Sequence, residues 1–530
     1  MSDAESDSAA KEDNNKEFGG SNTDPSSEDE YLPPGAPRKR KAKYVKKAKV
    51  AAKKSKSSLF EIFNQKEENK QHSIWLSQMA AEKPSVGNFE KSTADNKLLL
   101  SILRNTRSGS DEFMNSFRKL EPSLVGNNNK PFVIRTEDAT METLDRLFND
   151  EGKVIITSDL KKLGFNMPKD FSFETANELL GNNKTKIDVI DSRSGQTLTS
   201  TVGEVFTSIH KGASGDRIPN VLSFEVSKDE TLGPTITIPT FVKQNSLVIE
   251  IDEAFEILLR ESSSANQFRL SAQDRNKHRS LREEYEKYQR IVPRYDKYII
   301  FSQAGAYTCL HIDLAGSAVY YYVVQGQKVI YLAEPTKENL DLYRKLELEK
   351  KNIWSCEEDV IRRFERHVVN EGEMVIIPPG YLHYVYTPVI SLVIGGNYVT
   401  RRYLPLHMKM TQLEEKCLKI KNLSRNQMFL HFYEIMYAWL KHVFLPYFEA
   451  TPLVGRYTYT RDMGFALLHG LEIKKESGSL YTSSEKKRLL EKLKDALNMT
   501  GDEKDQCAEI VANKNDAFAI DFSYTKLVVN

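Results

Sequence analysis

The pattern of apolar and polar positions changes character three times along the chain. Large apolar side chains are sparse up to Leu59 and Phe60, and between 58 and about 130 short helical patterns alternate with polar breaks such as Asn127–Asn129. From about 131, short runs rich in β-branched and aromatic residues, bounded by Gly, Pro and Asn, predict strands. They are Pro131–Ile134, Lys153–Thr157, Val221–Val226, Tyr298–Phe301, Tyr307–Leu314, Ala318–Val324, Lys328–Leu332, Glu373–Ile377 and Val389–Ile394. Gln325–Gly326, between two apolar runs, predicts a hairpin turn. Closely spaced strands with short turns predict a sandwich or barrel. Between Asp252 and Gln289 the pattern is helical and highly charged, with 262–280 expected as a mobile surface loop. After about 408, Thr411–Ile420, Asn426–Tyr447 and Ser484–Leu497 have helical periodicity.

The expected fold class is a mainly β core with helices, α+β. The expected organisation is a disordered tail over 1–57, a helical or linker region over 58–150, a barrel over 151–407 with a helical insertion at about 252–290, and a helical C-terminal region over 408–530. The stripe Met428, Phe429, Phe432, Ile435, Met436, Trp439 and Leu440 is read as core, with a partner groove as the alternative.

Composition narrows this picture. Apolar residues make up 40% and charged residues 28%, which excludes a wholly disordered chain and a multi-span membrane protein. The apolar stretch Met428–Leu440 contains His431 and Glu434 and is shorter than the roughly 20 residues of a spanning helix. The N-terminus lacks the pattern of a secretory signal. Cys309, Cys356, Cys417 and Cys507 are far apart, so no disulfide framework or cysteine-built zinc module is expected, and a reducing compartment is.

The net charge of +1 hides an asymmetry: residues 1–30 carry ten acids and two bases, whereas 38–56 carry eleven Lys or Arg and no acid. Such blocks repel internally and stay unfolded. The basic block reads as a nuclear localisation signal, a sequence-independent DNA contact, or both; a solvated linker is the plainer alternative.

Candidate chemistry centres on His311 and Asp313. Residues two apart on a strand share a face, so both side chains can reach one metal ion. A buried hydrogen-bonded pair satisfies the same spacing. His383, 72 residues later in Ile-Pro-Pro-Gly-Tyr-Leu-His-Tyr-Val, is expected at a strand start and could return as a third ligand. Two His and one carboxylate form the facial triad of non-haem Fe(II) oxygenases. Lys328 follows the Gln-Gly turn among apolar residues; inside a barrel it needs an anion, such as a dicarboxylate co-substrate, unless it reaches water at the strand end. Thr308 could bond the same carboxylate, but strand parity puts it opposite His311 unless a bulge intervenes.

Residues from about 150 to 410 resemble Jumonji-C (JmjC) histone lysine demethylases, within them the fungal and animal JHD-type branch acting on lysine 36 of histone H3. The resemblance rests on ordered segments: Lys186–Asp191, Ile218–Val226, Tyr307–Asp313, Ala318–Tyr322, Gly326–Lys328, Pro378–His383 and Gly395–Tyr398. It implies a double-stranded β-helix, the jelly-roll or cupin-like JmjC barrel. It implies that His311, Asp313 and His383 bind Fe(II), and that Thr308 and Lys328 hold the distal carboxylate of 2-oxoglutarate. Asn220 matches a residue lining the co-substrate site, and Tyr321 an aromatic position near it, or else a barrel-filling ring. Asn397 serves the pocket or ends a strand. No further catalytic side chain is implied.

The implied reaction uses Fe(II), 2-oxoglutarate and O2 to hydroxylate an N-methyl group, releasing formaldehyde and succinate. The implied substrate is mono- or dimethylated lysine 36 of the histone H3 tail, free or in a nucleosome, and the implied location is the nucleus. Cys309-Leu310 stands where the family commonly has Asp-Phe, and the zinc-finger reader often found beside this branch has no cysteine set here. The alternatives are a chromatin scaffold with little or no turnover, a JmjC protein hydroxylase, and a metal-binding cupin of other chemistry. Oligomeric state is not legible.

Overall fold

The β-branched and aromatic runs form thirteen strands among the described residues of the computed structural model. The structure describes residues 94–121, 131–211, 216–264, 271–421, 428–448, 461–473 and 480–498. The acidic and basic tail, residues 58–93, Asn127–Asn129 and Cys507 lie outside them. The strands are β1 Val133–Arg135, β2 Val154–Thr157, β3 Lys186–Asp191, β4 Thr197–Thr201, β5 Pro219–Glu225, β6 Tyr298–Ser302, β7 Tyr307–His311, β8 Ala318–Gln325, β9 Gln327–Ala333, β10 Glu365–Asn370, β11 Met374–Ile377, β12 Leu382–Tyr386 and β13 Ser391–Tyr398.

Nine strands form a sheet in the order β1-β2-β11-β8-β13-β6-β5-β3-β4, and four form a second, β10-β9-β12-β7. Every pairing except β1 with β2 is antiparallel. Alternate residues from both sheets, Val319, Val323, Val375 and Val393 from the large and Ile330 and Leu332 from the small, meet in one apolar cluster. Two facing sheets sharing an interior make a jelly-roll barrel. Gly326 turns β8 into β9 with φ +88°, and a Cβ there would sit 2.1 Å from the Ile390 carbonyl oxygen. Only glycine fits that turn.

The outer face of the small sheet is aromatic and is covered from the N-terminal side. Helices α1 (Ala94–Asn105) and α2 (Asp111–Leu120) precede the barrel, and α2 places Phe113 and Phe117 against Tyr307, Tyr331 and Tyr386 with ring centroids 5.1–5.9 Å apart. Buried Glu121, at the end of α2, accepts from the Tyr331 hydroxyl (2.5 Å) and pairs with Arg366 of β10.

Helices α3 (Leu247–Ser264) and α4 (Ala272–Ile291) occupy the predicted insertion. The expectation of a loop over 262–280 is corrected: both its ends are helical, and 265–270 lie outside the described residues. Ser271 caps α4 by accepting from Asp274 N–H (3.1 Å), a helix-start signal that the charged stretch hides in the sequence.

Helix α5 (Leu404–Lys421) begins seven residues before the predicted Thr411 and follows β13 closely. The region expected as one helix over Asn426–Tyr447 is interrupted. His431 is left-handed (φ 54°), α6 spans Phe432–Trp439, and a π-turn covers Leu440–Phe444. Phe429, Phe432, Ile435, Met436, Trp439 and Leu440 are buried in a second core with Ile251 and Phe255 of α3, so this stripe is core, while Met428 is only half-buried. Helices α7 (Arg461–Ile473) and α8 (Ser483–Leu497) complete it. Among the described residues no helix is long and apolar enough to cross a membrane.

A buried ion pair ties α6 to α8: Lys486 pairs with Glu434, whose other oxygen accepts from Leu480 N–H (3.1 Å). Glu434→Ala leaves the buried ammonium without its carboxylate. The expected loss is about 3–5 kcal/mol in urea unfolding. A loss below about 1 kcal/mol, the range of exposed pairs, would refute the role of this pair.

Candidate metal centre

His311 ends β7 and His383 is the second residue of β12, directly opposite it in register. The two rings lie 4.1 Å apart between centroids. Asp313, inside the predicted strand Tyr307–Leu314, lies two residues past the end of β7, which stops at His311. Its backbone is still extended (φ −60°, ψ 159°), which keeps its side chain on the His311 side. One ligand atom from each of His311, Asp313 and His383 lies within 4.8 Å of the others, and His383 Nε2 is 3.5 Å from Asp313 Oδ2.

Hydrogen bonds aim both imidazoles. His311 Nδ1 donates to the Cys309 carbonyl (2.9 Å) and His383 Nδ1 to the Tyr381 carbonyl (3.1 Å). With Nδ1 engaged in each ring, Nε2 is the nitrogen left to face the shared position, as metal-binding histidines require. Burial, then the neighbouring His311, lowers the His383 pKa to about 4, so its ring is neutral near pH 7. Two imidazoles and one carboxylate fit a divalent first-row metal, Fe(II) among them.

The bulge that Thr308 requires is present. Tyr386 pairs with Tyr307, Val385 with Thr308, and then His383 with His311. Three steps along β7 thus match two along β12. One extra residue restores Thr308 to the His311 face.

Lys328 lies one strand further on and is 2% exposed, so the alternative of a strand-end lysine in water is corrected. Its ammonium donates to Ser302 Oγ (2.8 Å) and Thr387 Oγ1 (2.9 Å). Ser302 in turn donates to Asn220 Oδ1 (2.7 Å), and Asn220 Nδ2 donates to Thr308 Oγ1 (3.1 Å). These bonds link Lys328, Asn220 and Thr308 in one network. Among the described residues no carboxylate pairs with Lys328. Burial alone lowers its pKa to about 7. An ammonium has three donors, and two are used here.

Tyr321 extends from β8 into the apolar barrel interior, half-buried, at the edge of that cluster. Asn397 donates from Nδ2 to Ser317 Oγ (3.1 Å), just after the Asp313 turn, one residue before β13 ends. Cys309 is exposed and reaches the triad only through its carbonyl.

Sequence reasoning missed Ser302 and Thr387. Their signal was parity: Thr387 is in phase with His383 and Val385, and Ser302 with Ile300, so each is a polar residue at an inward position.

The jelly-roll with an inward His-x-Asp and a returning His is the architecture of the JmjC-type barrel. The chain is similar in sequence to JmjC domain-containing histone demethylases. JmjC domain-containing histone demethylation protein 1 of Saccharomyces cerevisiae is 33% identical over 264 residues, 47% of this chain and 46% of that protein. Its namesake in Emericella nidulans is 26% identical over 277 residues, 52% of this chain and 17% of that protein. Lysine-specific demethylase 2B of Mus musculus is 29% identical over 265 residues, 49% of this chain and 18% of that protein. The matches therefore span less than half the length of each of these relatives. No family model matches the chain.

Proposed function

We propose that this chain is an Fe(II)- and 2-oxoglutarate-dependent histone lysine demethylase, acting on mono- or dimethylated lysine 36 of histone H3 in the nucleus. The observation that carries the reading is Lys328. It is a buried cation without a protein carboxylate among the described residues, in a polar network that ends at Thr308 on the strand of His311. Burying a cation without its counter-ion is costly, so an anionic ligand is the natural complement. The names of the relatives support the choice of histone lysine as substrate.

In this reading His311, Asp313 and His383 hold the iron. Lys328 neutralises the distal carboxylate of 2-oxoglutarate, and Thr308 and Asn220 fix its orientation. Ser302 and Thr387 occupy two ammonium donors and so direct the third. The bound iron supplies oxidation: methyl-lysine, O2 and 2-oxoglutarate become lysine, formaldehyde, succinate and CO2. Cys309-Leu310 leaves the ligand set intact because Cys309 contributes a backbone carbonyl, which any residue provides. The basic block 38–56 supplies nuclear import and a salt-sensitive DNA contact on a nucleosome.

The test is mass spectrometry of methylated histone H3 peptides incubated with the full chain, Fe(II), ascorbate and 2-oxoglutarate. A loss of about 14 mass units on the lysine 36 peptide, absent in His311→Ala, is expected for removal of one methyl group. A gain of about 16 without that loss would establish a hydroxylase instead. No change on peptides or nucleosomes by an iron-loaded chain would leave the scaffold reading.

A pH dependence follows from Lys328. Its pKa near 7 in the free protein rises when a carboxylate binds, so above pH 7 binding takes up a proton. The dissociation constant for 2-oxoglutarate is expected to rise by up to about tenfold per pH unit between pH 7 and 9. Calorimetry in buffers of different ionisation heat checks this: uptake near one proton at pH 8 and near zero at pH 6 is expected, and equal values at both would contradict it.

A further inference from the structure

Two side chains unused by this chemistry meet beside the candidate metal centre. His407 is fully buried, and the Glu414 carboxyl group is enclosed, with the backbone N–H groups of Ala315 and Phe429 against it. Both belong to α5 and, seven residues apart, lie on one face of it. Both reach the same residue, Ala315. Its N–H donates to Glu414 Oε1 (2.5 Å), and its carbonyl accepts from His407 Nδ1 (2.9 Å). Thr400 N–H donates to His407 Nε2 (2.9 Å), which fixes the proton on Nδ1.

Ala315 is two residues after Asp313 and is left-handed, with φ 54°. That conformation costs a non-glycine residue about 1–2 kcal/mol and persists only where the surroundings over-determine it. Here both of its backbone polar groups are held. The same turn is closed by Gly316 N–H donating to the Asp313 carbonyl (2.7 Å). It is joined to the Pro-Pro-Gly turn before His383 by Gly380 N–H donating to the Gly316 carbonyl (3.1 Å). Helix α5 also closes the space above both turns: a Cβ on Gly316 would lie 2.8 Å from Met410, and one on Gly380 2.5 Å from Leu406.

We propose that His407 and Glu414 are positioning residues for the metal centre, holding the Asp313–Gly316 turn so that the Asp313 carboxylate meets the two imidazoles. The proposal rests on the reading of His311, Asp313 and His383 as a metal site. It gives the start of the helical C-terminal region a role in the centre that its sequence pattern does not suggest.

The test is Co(II) titration of the full chain, followed by its visible ligand-field absorption, with folding checked by circular dichroism. His407→Leu and Glu414→Met are each expected to weaken Co(II) binding by about 10–100-fold, the range for outer partners of metal ligands. His407→Asn keeps an amide donor toward Ala315 and is expected to recover most of the affinity. Glu434→Ala, destabilised in the distant second core, is expected to keep the wild-type affinity and spectrum. Wild-type affinity in a folded His407→Leu or Glu414→Met protein would overturn the proposal, as would an equal loss in Glu434→Ala. Should His407→Leu not fold, Glu414→Met decides, because it removes the acceptor of the Ala315 N–H and leaves an unbranched apolar side chain in its place. Failure of the wild-type chain to bind Co(II) would instead remove the metal-site reading, and the proposal with it.

Discussion

Asp313→Ala is expected to abolish both stoichiometric iron binding and turnover while leaving the fold intact. Asp313 supplies the only carboxylate of the candidate triad, and its side chain is 22% exposed at the end of β7. Its loss leaves two imidazoles, too few to hold the metal against water. The decrease in iron affinity should exceed the roughly 10–100-fold that outer partners of metal ligands carry. The thermal midpoint should fall little, because among the described residues no buried partner loses a bond beyond the 3.5 Å contact with His383 Nε2. Metal analysis after gel filtration with a thermal melt checks both parts. An Asp313→Ala protein that retains one equivalent of iron would show that the metal sits elsewhere.

Lys328→Met is expected to separate function from stability. The substitution keeps an unbranched side chain, one heavy atom shorter, and removes a buried charge whose pKa burial lowers to about 7. Near pH 6 the lysine is protonated in both folded and unfolded chains, so the folded state bears the full cost of burying the cation. As pH rises from about 7 towards the unfolded value near 10.4, the folded state sheds its proton first and the cost fades. Lys328→Met should therefore melt at or above the wild-type temperature at pH 6, with the difference shrinking towards pH 10. Its affinity for 2-oxoglutarate should fall by about 30-fold or more, the scale of about 2–5 kcal/mol for removing one partner of a buried charge pair. A variant that binds 2-oxoglutarate normally would take Lys328 out of the site. A variant several kcal/mol less stable at pH 6 would make it a structural residue.

The same residues show what the sequence makes legible. His311 and Asp313 are two apart, and Lys328 is a lone cation in an apolar run, so local pattern singles them out. The face of Thr308 is not local: it depends on the register of β7 against β12, a strand more than 70 residues away. Ser302 and Thr387 matter because they meet around Lys328, and that meeting is a property of β6, β9 and the residue just past β12 together. The aromatic runs of β8 and β9 were visible, whereas β10, Glu-Arg-His-Val-Val-Asn, is too polar to stand out and is a strand because β9 pairs with it. Helix α5 was expected only in its second half, since Pro405 and the histidine that follows obscure its start. The contact of Glu414 with Ala315 spans 99 residues, and no periodicity announces it.

The central claim is that the triad and Lys328 form one centre, holding a metal and a dicarboxylate together. Anaerobic titration of the Fe(II)-loaded chain with 2-oxoglutarate, beside Asp313→Ala and Lys328→Met, tests it most directly. Three results are expected: saturable 2-oxoglutarate binding with one iron in the wild type, iron without tight 2-oxoglutarate binding in Lys328→Met, and no retained iron in Asp313→Ala. Equal 2-oxoglutarate affinity in the wild type and Lys328→Met, or an iron-loaded wild type that binds none, would contradict the account.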